Sequence, residues 1–256
     1  MTTAKDFRRR LEERELLIGT MVTLSDPSVA EILSLTGFDW LFVDGEHGAI
    51  EVSDLKAILQ AVADRVAVLV RIPSIDETPI KKALDLGAHG IIVPKVNSAD
   101  QAERVVEFAR YPPLGQRGVG LARAHGYGAT FNEYVDTANE QITVVVQAEH
   151  IHAVGNIEEI IKVEGVDCVF VGPYDLSASM GLNGQVDHPD VLNAIDHVAK
   201  VCRSANMPLG FFGSSAASVQ PSIKAGFNLI CAGVDSVLLS SNASNLLGIL
   251  KGNDRS

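Results

Sequence analysis

The chain has 256 residues, with 21 Lys and Arg against 32 Asp and Glu, so its formal charge is −11. That balance argues against a protein whose main task is to coat a nucleic-acid backbone, because phosphate binding needs excess cationic charge. An apolar fraction of 46% with 21% charged residues excludes intrinsic disorder, and no run of about 18 apolar residues offers a membrane span. The opening MTTAKDFRRRLEERELL is too charged for a secretory leader. Three cysteines, Cys168, Cys202 and Cys231, lack CxxC spacing, and two lie inside apolar runs. They read as reduced, buried thiols of a cytoplasmic protein.

Apolar runs of strand length alternate along the chain with segments of helical period. The first predicted strand is LIGTMV at 17–22, followed by DPSVAEILSLTGF, which opens with an Asp-Pro cap signal and closes at Gly37. DWLFVDGEH at 39–47 precedes SDLKAILQAVAD, and AVLVRIP at 67–73 precedes TPIKKALDLG. GIIVPKV at 90–96 leads into SADQAERVVEFAR, and ITVVVQAEH at 142–150 into HAVGNIEEIIKVEG. CVFVGPYD at 168–175 precedes HPDVLNAIDHVAKVCRSAN. PLGFFG at 208–213 and LICAGVD at 229–235 come last, with SAASVQPSIKAGF and SVLLSSNASNLLGIL behind them. The strands lack strict apolar/polar alternation, as expected when a parallel sheet is covered on both faces.

Eight β/α units within about 250 residues predict an α/β fold, a (β/α)8 TIM barrel, as a single domain over 1–256. An open doubly wound sheet is the runner-up, weakened because no G-x-G-x-x-G follows the first strand. One segment breaks the rhythm. Residues 111–141 form an insertion too long for an ordinary connection, predicted to be a loop with a short helix that covers the mouth or packs at a subunit contact.

A barrel draws its chemistry from the C-terminal ends of its strands. That rule selects Asp44, Glu46 and His47, then Arg71, Lys95, Gln147, Glu149, Tyr174 and Asp175, with Phe212 and Asp235 on the last two strands. Charged groups directly after runs such as LFV and TVVV are costly to bury unless paired, hydrated or metal-bound. Glu149 and Asp175 end adjacent strands, and two carboxylates without a thiolate suit a hard divalent cation such as Mg²⁺ or Mn²⁺. The competing reading makes each a helix cap. His150 and His152 would suggest zinc, but their spacing need not face Glu149. His47 is the acid/base candidate, since its ordinary pKa lies nearest neutrality, and Asp44 and Glu46 are placed to orient it. Arg71 offers a planar fork for a carboxylate or oxyanion. Lys95, if buried, would suit Schiff-base chemistry. The segment GQRGVG at 115–120 lacks the lysine and preceding strand of a phosphate loop. Trp40, Phe42 and Phe170 read as core.

Taken together, FDWLFVDGEHG, VRIP with LDLGAHGIIVPKV, RGVG with ARAHGYG, VVVQAEH, EGVDCVFVGPYDLSASMG and GFNLICAGVDSVLL resemble the HpcH/HpaI aldolases, the metal-dependent class II pyruvate aldolases. The resemblance spans about residues 17–250. It implies a divalent-metal-dependent lyase that cleaves 4-hydroxy-2-oxo acids to pyruvate or hydroxypyruvate and an aldehyde, reversibly, through an enolate. The metal would be Mg²⁺, Mn²⁺ or Co²⁺, with Zn²⁺ possible. It implies His47 as the base, Arg71 as transition-state stabiliser, and Glu149 and Asp175 as metal ligands. Gln147 and Tyr174 match positions that contact the pyruvyl group, and Gly172 lies where backbone donors are supplied. Asp85 matches a residue that tunes the histidine, although it sits late in a helix, which points to a neighbouring subunit. A trimer or hexamer with the last helix exchanged between subunits is implied as well.

Three positions depart from the family pattern: Tyr174 where a small residue is usual, His150 where Thr or Ser is common, and bulky Phe212. They bear on the acceptor aldehyde. The remaining alternatives are an oxaloacetate decarboxylase, a citramalyl- or malyl-CoA lyase, a Schiff-base aldolase using Lys95, and a non-enzymatic binding barrel.

Overall fold

In the computed structural model, which describes residues 6–252, eight parallel strands close into a barrel in chain order. They are β1 (Leu17–Val22), β2 (Trp40–Asp44), β3 (Ala67–Arg71), β4 (Gly90–Val93), β5 (Thr143–Ala148), β6 (Cys168–Val171), β7 (Leu209–Gly213) and β8 (Leu229–Val234). The first six helices are α1 (Phe7–Glu12), α2 (Pro27–Ser34), α3 (Val52–Val62), α4 (Glu77–Asp85), α5 (Ala99–Ala109) and α6 (Phe131–Gln141). After β5 come α7 (Ile151–Gly155), α8 (Ile157–Ile160), α9 (Pro173–Ser179), α10 (Pro189–Ser204), α11 (Ala216–Lys224) and α12 (Asp235–Leu250).

Local signals account for most helix starts. The Asp26 and Asp76 side chains accept from the Ser28 and Thr78 amides, and Ser98 from Gln101, each satisfying an amide that has no partner within its helix. Gly37 and Gly87, at φ 97° and 90°, take the left-handed turns after α2 and α4. The predicted helix over 152–165 is instead broken into α7 and α8. Asn156 sits at the break, its side chain donating to the Asn97 carbonyl at 2.7 Å. Within the 111–141 segment, residues Arg123–Gly128 make a kinked 3-10 turn ahead of α6.

The sheet divides two apolar clusters by the strand period of two. Ile91, Val93, Val144 and Val146 pack outward against the helices. Trp40, Phe42, Leu69, Ile92, Val145, Cys168 and Phe170 fill the barrel. Large rings fit only because glycines face them: a Cβ on Gly210 would stand 2.1 Å from the Phe170 ring, and one on Gly19 2.6 Å from Trp40 Nε1.

No sequence-based expectation foresaw α1. Phe7 and Leu11, one turn apart, join the interior cluster beside Leu17 and Trp40. Arg8 pairs with Asp167 at 2.8 Å and Arg10 with Asp39 at 2.8 Å. Leu11 is fully buried, so Leu11→Ala should lower unfolding free energy by about 2–5 kcal/mol. Urea titration of the variant checks this; a loss below 1 kcal/mol would mean that α1 is not part of the folded core. Among the described residues no helix is long and apolar enough to cross a membrane.

Candidate active site

Carried to the C-terminal rim, the inward period places polar groups above the apolar layers. Trp40 and Phe42 lead to Asp44, Leu69 to Arg71, and Val145 to Gln147 and Glu149. Asp44 and Arg71 are register partners across β2 and β3. Arg71 Nε donates to Asp44 Oδ1 at 2.8 Å and Nη2 to Oδ2 at 2.7 Å, a bidentate pair in a buried setting. Asp44 Oδ1 also accepts from the Glu46 and His47 amides at 3.1 and 3.3 Å, so it shapes the DGEH turn. Burial opposes the charge on Asp44, but the Arg71 guanidinium and these amides hold its carboxyl below the usual range. The guanidinium lies 5.2 Å from the Phe42 ring centroid.

Glu46 links the remaining charges. Its Oε2 is 3.3 Å from Arg71 Nη1 and 3.8 Å from His47 Nε2, and its Oε1 is 3.9 Å from Lys95 Nζ. The His47 side chain is 65% exposed, open to a molecule arriving at the mouth. A cleft of about 360 Å³, lined in part by Glu46, Ile50, Arg71, Pro73 and Lys82, opens beside this chain of charges.

Glu149 is buried, and its two oxygens are held separately. Oε1 accepts from the Lys95 amide at 2.9 Å and Oε2 from Gln147 Nε2 at 2.8 Å. Gly172 is tight against it: a Cβ there would stand 2.6 Å from Oε2. Burial, with Asp175 adding repulsion, pushes the Glu149 carboxyl up to about 7. Gln147 Oε1 is buried and has no hydrogen-bond partner among the described residues.

These features fit a divalent cation. Asp44, Glu46, Glu149 and Asp175 against Arg71 and Lys95 leave a formal charge of −4 + 2 = −2. Among the described residues no group of three or more His, Cys, Asp or Glu is arranged to hold a metal. Glu149, with Asp175 acting on it, makes a two-carboxylate set suited to a cation that completes its shell with water or substrate oxygens, as hard oxygen-loving ions do.

The raised carboxyl has a consequence for stability. With a folded value near 7 against an ordinary 4.5, the folded state retains a proton that the unfolded state releases. Stability of the metal-free protein is then lost as pH rises from 4.5 to about 7, by about 3 kcal/mol at most. Thermal melts in EDTA should show the drop between pH 5 and 7.5, and Glu149→Gln should flatten it. An unchanged slope in that variant would assign the titration elsewhere.

Comparison with known proteins follows the same line. The family model described as HpcH/HpaI aldolase/citrate lyase matches residues 17–242. The chain belongs to the HpcH/HpaI aldolase/citrate lyase family. It is 39% identical over 248 residues to the 2-keto-3-deoxy-L-rhamnonate aldolase of Escherichia coli O157:H7, covering 96% of this chain and 92% of the relative. Identity is 40% over 249 residues to the hydroxypyruvate/pyruvate aldolase of Pseudomonas aeruginosa, with the same coverage of 96% and 92%. The crystal structure of a family member from Burkholderia cenocepacia J2315 superposes with a TM-score of 0.93 at 34% identity, over 96% of this chain and 99% of that one. This HpcH/HpaI family member is accordingly a carbon–carbon lyase of the aldolase type.

Not every acid or base selected at the strand ends joins the site of this family member. Asp235 accepts from the Thr23 and Leu24 amides at 2.9 Å and the Thr23 hydroxyl at 2.7 Å, pinning the loop after β1. His150 caps α7, its Nδ1 accepting from the His152 amide at 3.1 Å, while Glu149 caps no helix. Asp175 lies in the first turn of α9, whose cap residue is Gly172. Asp85 is the last residue of α4, and its ionic partner is the buried Arg117 at 2.7 Å rather than His47. Tyr174 is half exposed, its ring 6.4 Å from Phe212. The Lys95 side chain is 63% exposed beside Glu46, without the apolar enclosure that activates an amine nucleophile. Glu46, selected beside His47 from the DGEH turn, also reaches Arg71 and Lys95, which the sequence did not foreshadow.

Proposed function

We propose that this aldolase cleaves 4-hydroxy-2-oxo acids to pyruvate or hydroxypyruvate and an aldehyde, and runs the condensation in reverse. The observation that carries the proposal is the buried carboxylate Glu149, within electrostatic reach of both Asp175 and the locked Arg71 fork. Mg²⁺, Mn²⁺ or Co²⁺ held by Glu149 and Asp175 would supply an electrophile for the carbonyl and carboxylate oxygens of a 2-oxo acid. Arg71, oriented by Asp44 and Phe42, stabilises negative charge as it develops on the carbonyl oxygen. His47 takes the proton from the C4 hydroxyl as the C3–C4 bond breaks, and the bond pair moves into the C2 carbonyl as an enolate. C3 is then reprotonated. Gln147 holds Glu149 through its amide nitrogen and offers its unpaired Oε1 to a donor on the bound molecule. Gly172 leaves the space that Glu149 and substrate share, and Tyr174 with Phe212 borders the acceptor side.

Oxaloacetate decarboxylation would pass through the same enolate and is the second activity to assay. A citramalyl- or malyl-CoA substrate is less favoured, because a chain of net charge −11 does not advertise the basic residues that nucleotide phosphates call for. The apolar side chains of α12, with Leu239, Leu246, Ile249 and Leu250 each more than 60% exposed, support burial against another subunit in a trimer or hexamer with the last helix exchanged. A role for Asp85 beside His47 requires that second subunit. The free, buried cysteines accord with a cytoplasmic location.

The test is a screen of pyruvate and hydroxypyruvate release from 4-hydroxy-2-oxo acids of different length and charge. Activity should be lost in EDTA and restored by Mg²⁺, Mn²⁺ or Co²⁺. Borohydride with pyruvate should leave the protein mass unchanged. A covalent adduct on Lys95 with EDTA-resistant turnover would replace this mechanism by the Schiff-base one.

A further inference from the structure

Five non-glycine residues in the described chain have positive φ: Arg14, Ala63, Lys95, Tyr127 and Asn206. Arg14, Ala63 and Asn206 lie just beyond the ends of α1, α3 and α10, and Tyr127 sits in the kinked 3-10 turn. Helix exits and kinks commonly take this conformation. Lys95 is different. It follows β4 by two residues, at φ 54°, β4 being the strand between β3, which ends at Arg71, and β5, which Glu149 follows. The left-handed region is unfavourable for a residue with a Cβ, and such strain persists where the surroundings over-determine it.

What the conformation achieves is visible at Glu149. The Lys95 amide points at Oε1 and donates to it at 2.9 Å. The other oxygen is held by Gln147 and confined by Gly172. The lysine side chain takes no part in this contact. It leads away to Glu46, with Nζ 3.9 Å from Oε1 and the side chain mostly in solvent.

We propose that Lys95 is a positioning residue whose left-handed backbone aims its amide at Glu149, holding that carboxylate oriented to receive a divalent cation. The proposal rests on the cation site formed by Glu149 and Asp175 described above. A donor that orients a ligand carboxylate raises affinity because the ligand must be correctly turned before it binds. The chemistry is carried by the backbone, so the residue types that tolerate positive φ should preserve it whatever their side chain.

The experiment is Mn²⁺ binding to the intact protein, followed by electron paramagnetic resonance and calorimetry, without substrate and without turnover. Lys95→Gly and Lys95→Asn should bind Mn²⁺ within about threefold of wild type, because both tolerate the left-handed region. Lys95→Val, which resists it, should bind about 10- to 100-fold more weakly, with Lys95→Ala between. Circular dichroism establishes folding; if Lys95→Val does not fold, the Gly and Ala variants alone decide, and Ala must be the weaker binder. Equal affinity across the series overturns the proposal while leaving the cation site in place. Equal weakening in Gly and Val also overturns it, since the ammonium would then be the active group. Wild-type protein that binds no Mn²⁺, or binds it equally with Glu149→Gln, overturns the cation site and this proposal together.

Discussion

Glu149→Gln should leave a folded barrel whose lyase turnover falls by about 10³-fold or more. The exchange keeps volume and one acceptor oxygen, which can still accept from the Lys95 amide, while the new NH2 can donate to Gln147 once the unpaired Gln147 Oε1 turns toward it. It removes a charge from the proposed cation site, where a metal electrophile would contribute several kcal/mol to the transition state, each 1.4 kcal/mol being tenfold in rate. Stability moves the other way. With its carboxyl raised to about 7, metal-free wild type at pH 8 bears the cost of an ionised group in a dry pocket, and the amide does not. Steady-state pyruvate release together with thermal melts in EDTA measures both. Unchanged turnover would remove Glu149 from the mechanism; lost turnover with a collapsed melting temperature would make it a structural residue.

Arg71→Met should be nearly as damaging to turnover and far more damaging to the fold. The substitution leaves Asp44 buried and ionised beside its missing partner, a situation that costs about 3–5 kcal/mol. Loss of the positive charge at the developing oxyanion should lower kcat by about 10²- to 10³-fold. Arg71→Lys keeps the charge but not the fork, and one ammonium cannot reproduce the paired contacts to Asp44 together with the one to Glu46. A second exchange separates the two effects. Adding Asp44→Asn to Arg71→Met should restore most of the unfolding free energy, because no buried charge remains unpaired, without restoring turnover. Recovery of both would mean that Arg71 serves only to neutralise Asp44.

Much of this was legible beforehand. The eight apolar runs and their Gly-terminated helices specified a barrel, and the barrel rule then selected the strand ends bearing Asp44, Arg71, Gln147 and Glu149. The predicted strands ran too long at 39–47, 142–150 and 168–175, where the observed ones end at Asp44, Ala148 and Val171. The overshoot has a simple cause: functional residues directly follow apolar runs, and hydropathy does not mark where pairing stops. Pro173 did mark it, since it opens α9. Likewise Phe7 and Leu11, one turn apart in a charged segment, were readable as an amphipathic helix, but nothing local said that the barrel floor would receive them.

From its sequence alone this protein can be assigned a barrel architecture, a set of chemical groups for the rim and a family. Periodicity and strand-end position are local properties, and they survive in a linear chain. Only the tertiary structure decided which acids were available. Asp235 is used by the β1 loop, Asp44 by Arg71 and Asp85 by Arg117, whereas Glu149 is left buried with amide donors and, among the described residues, no ion pair. The distinction depends on distances between strands and on burial from water, which set ionisation and partner choice. The net −11 of the sequence contains all four of those acids and cannot tell them apart.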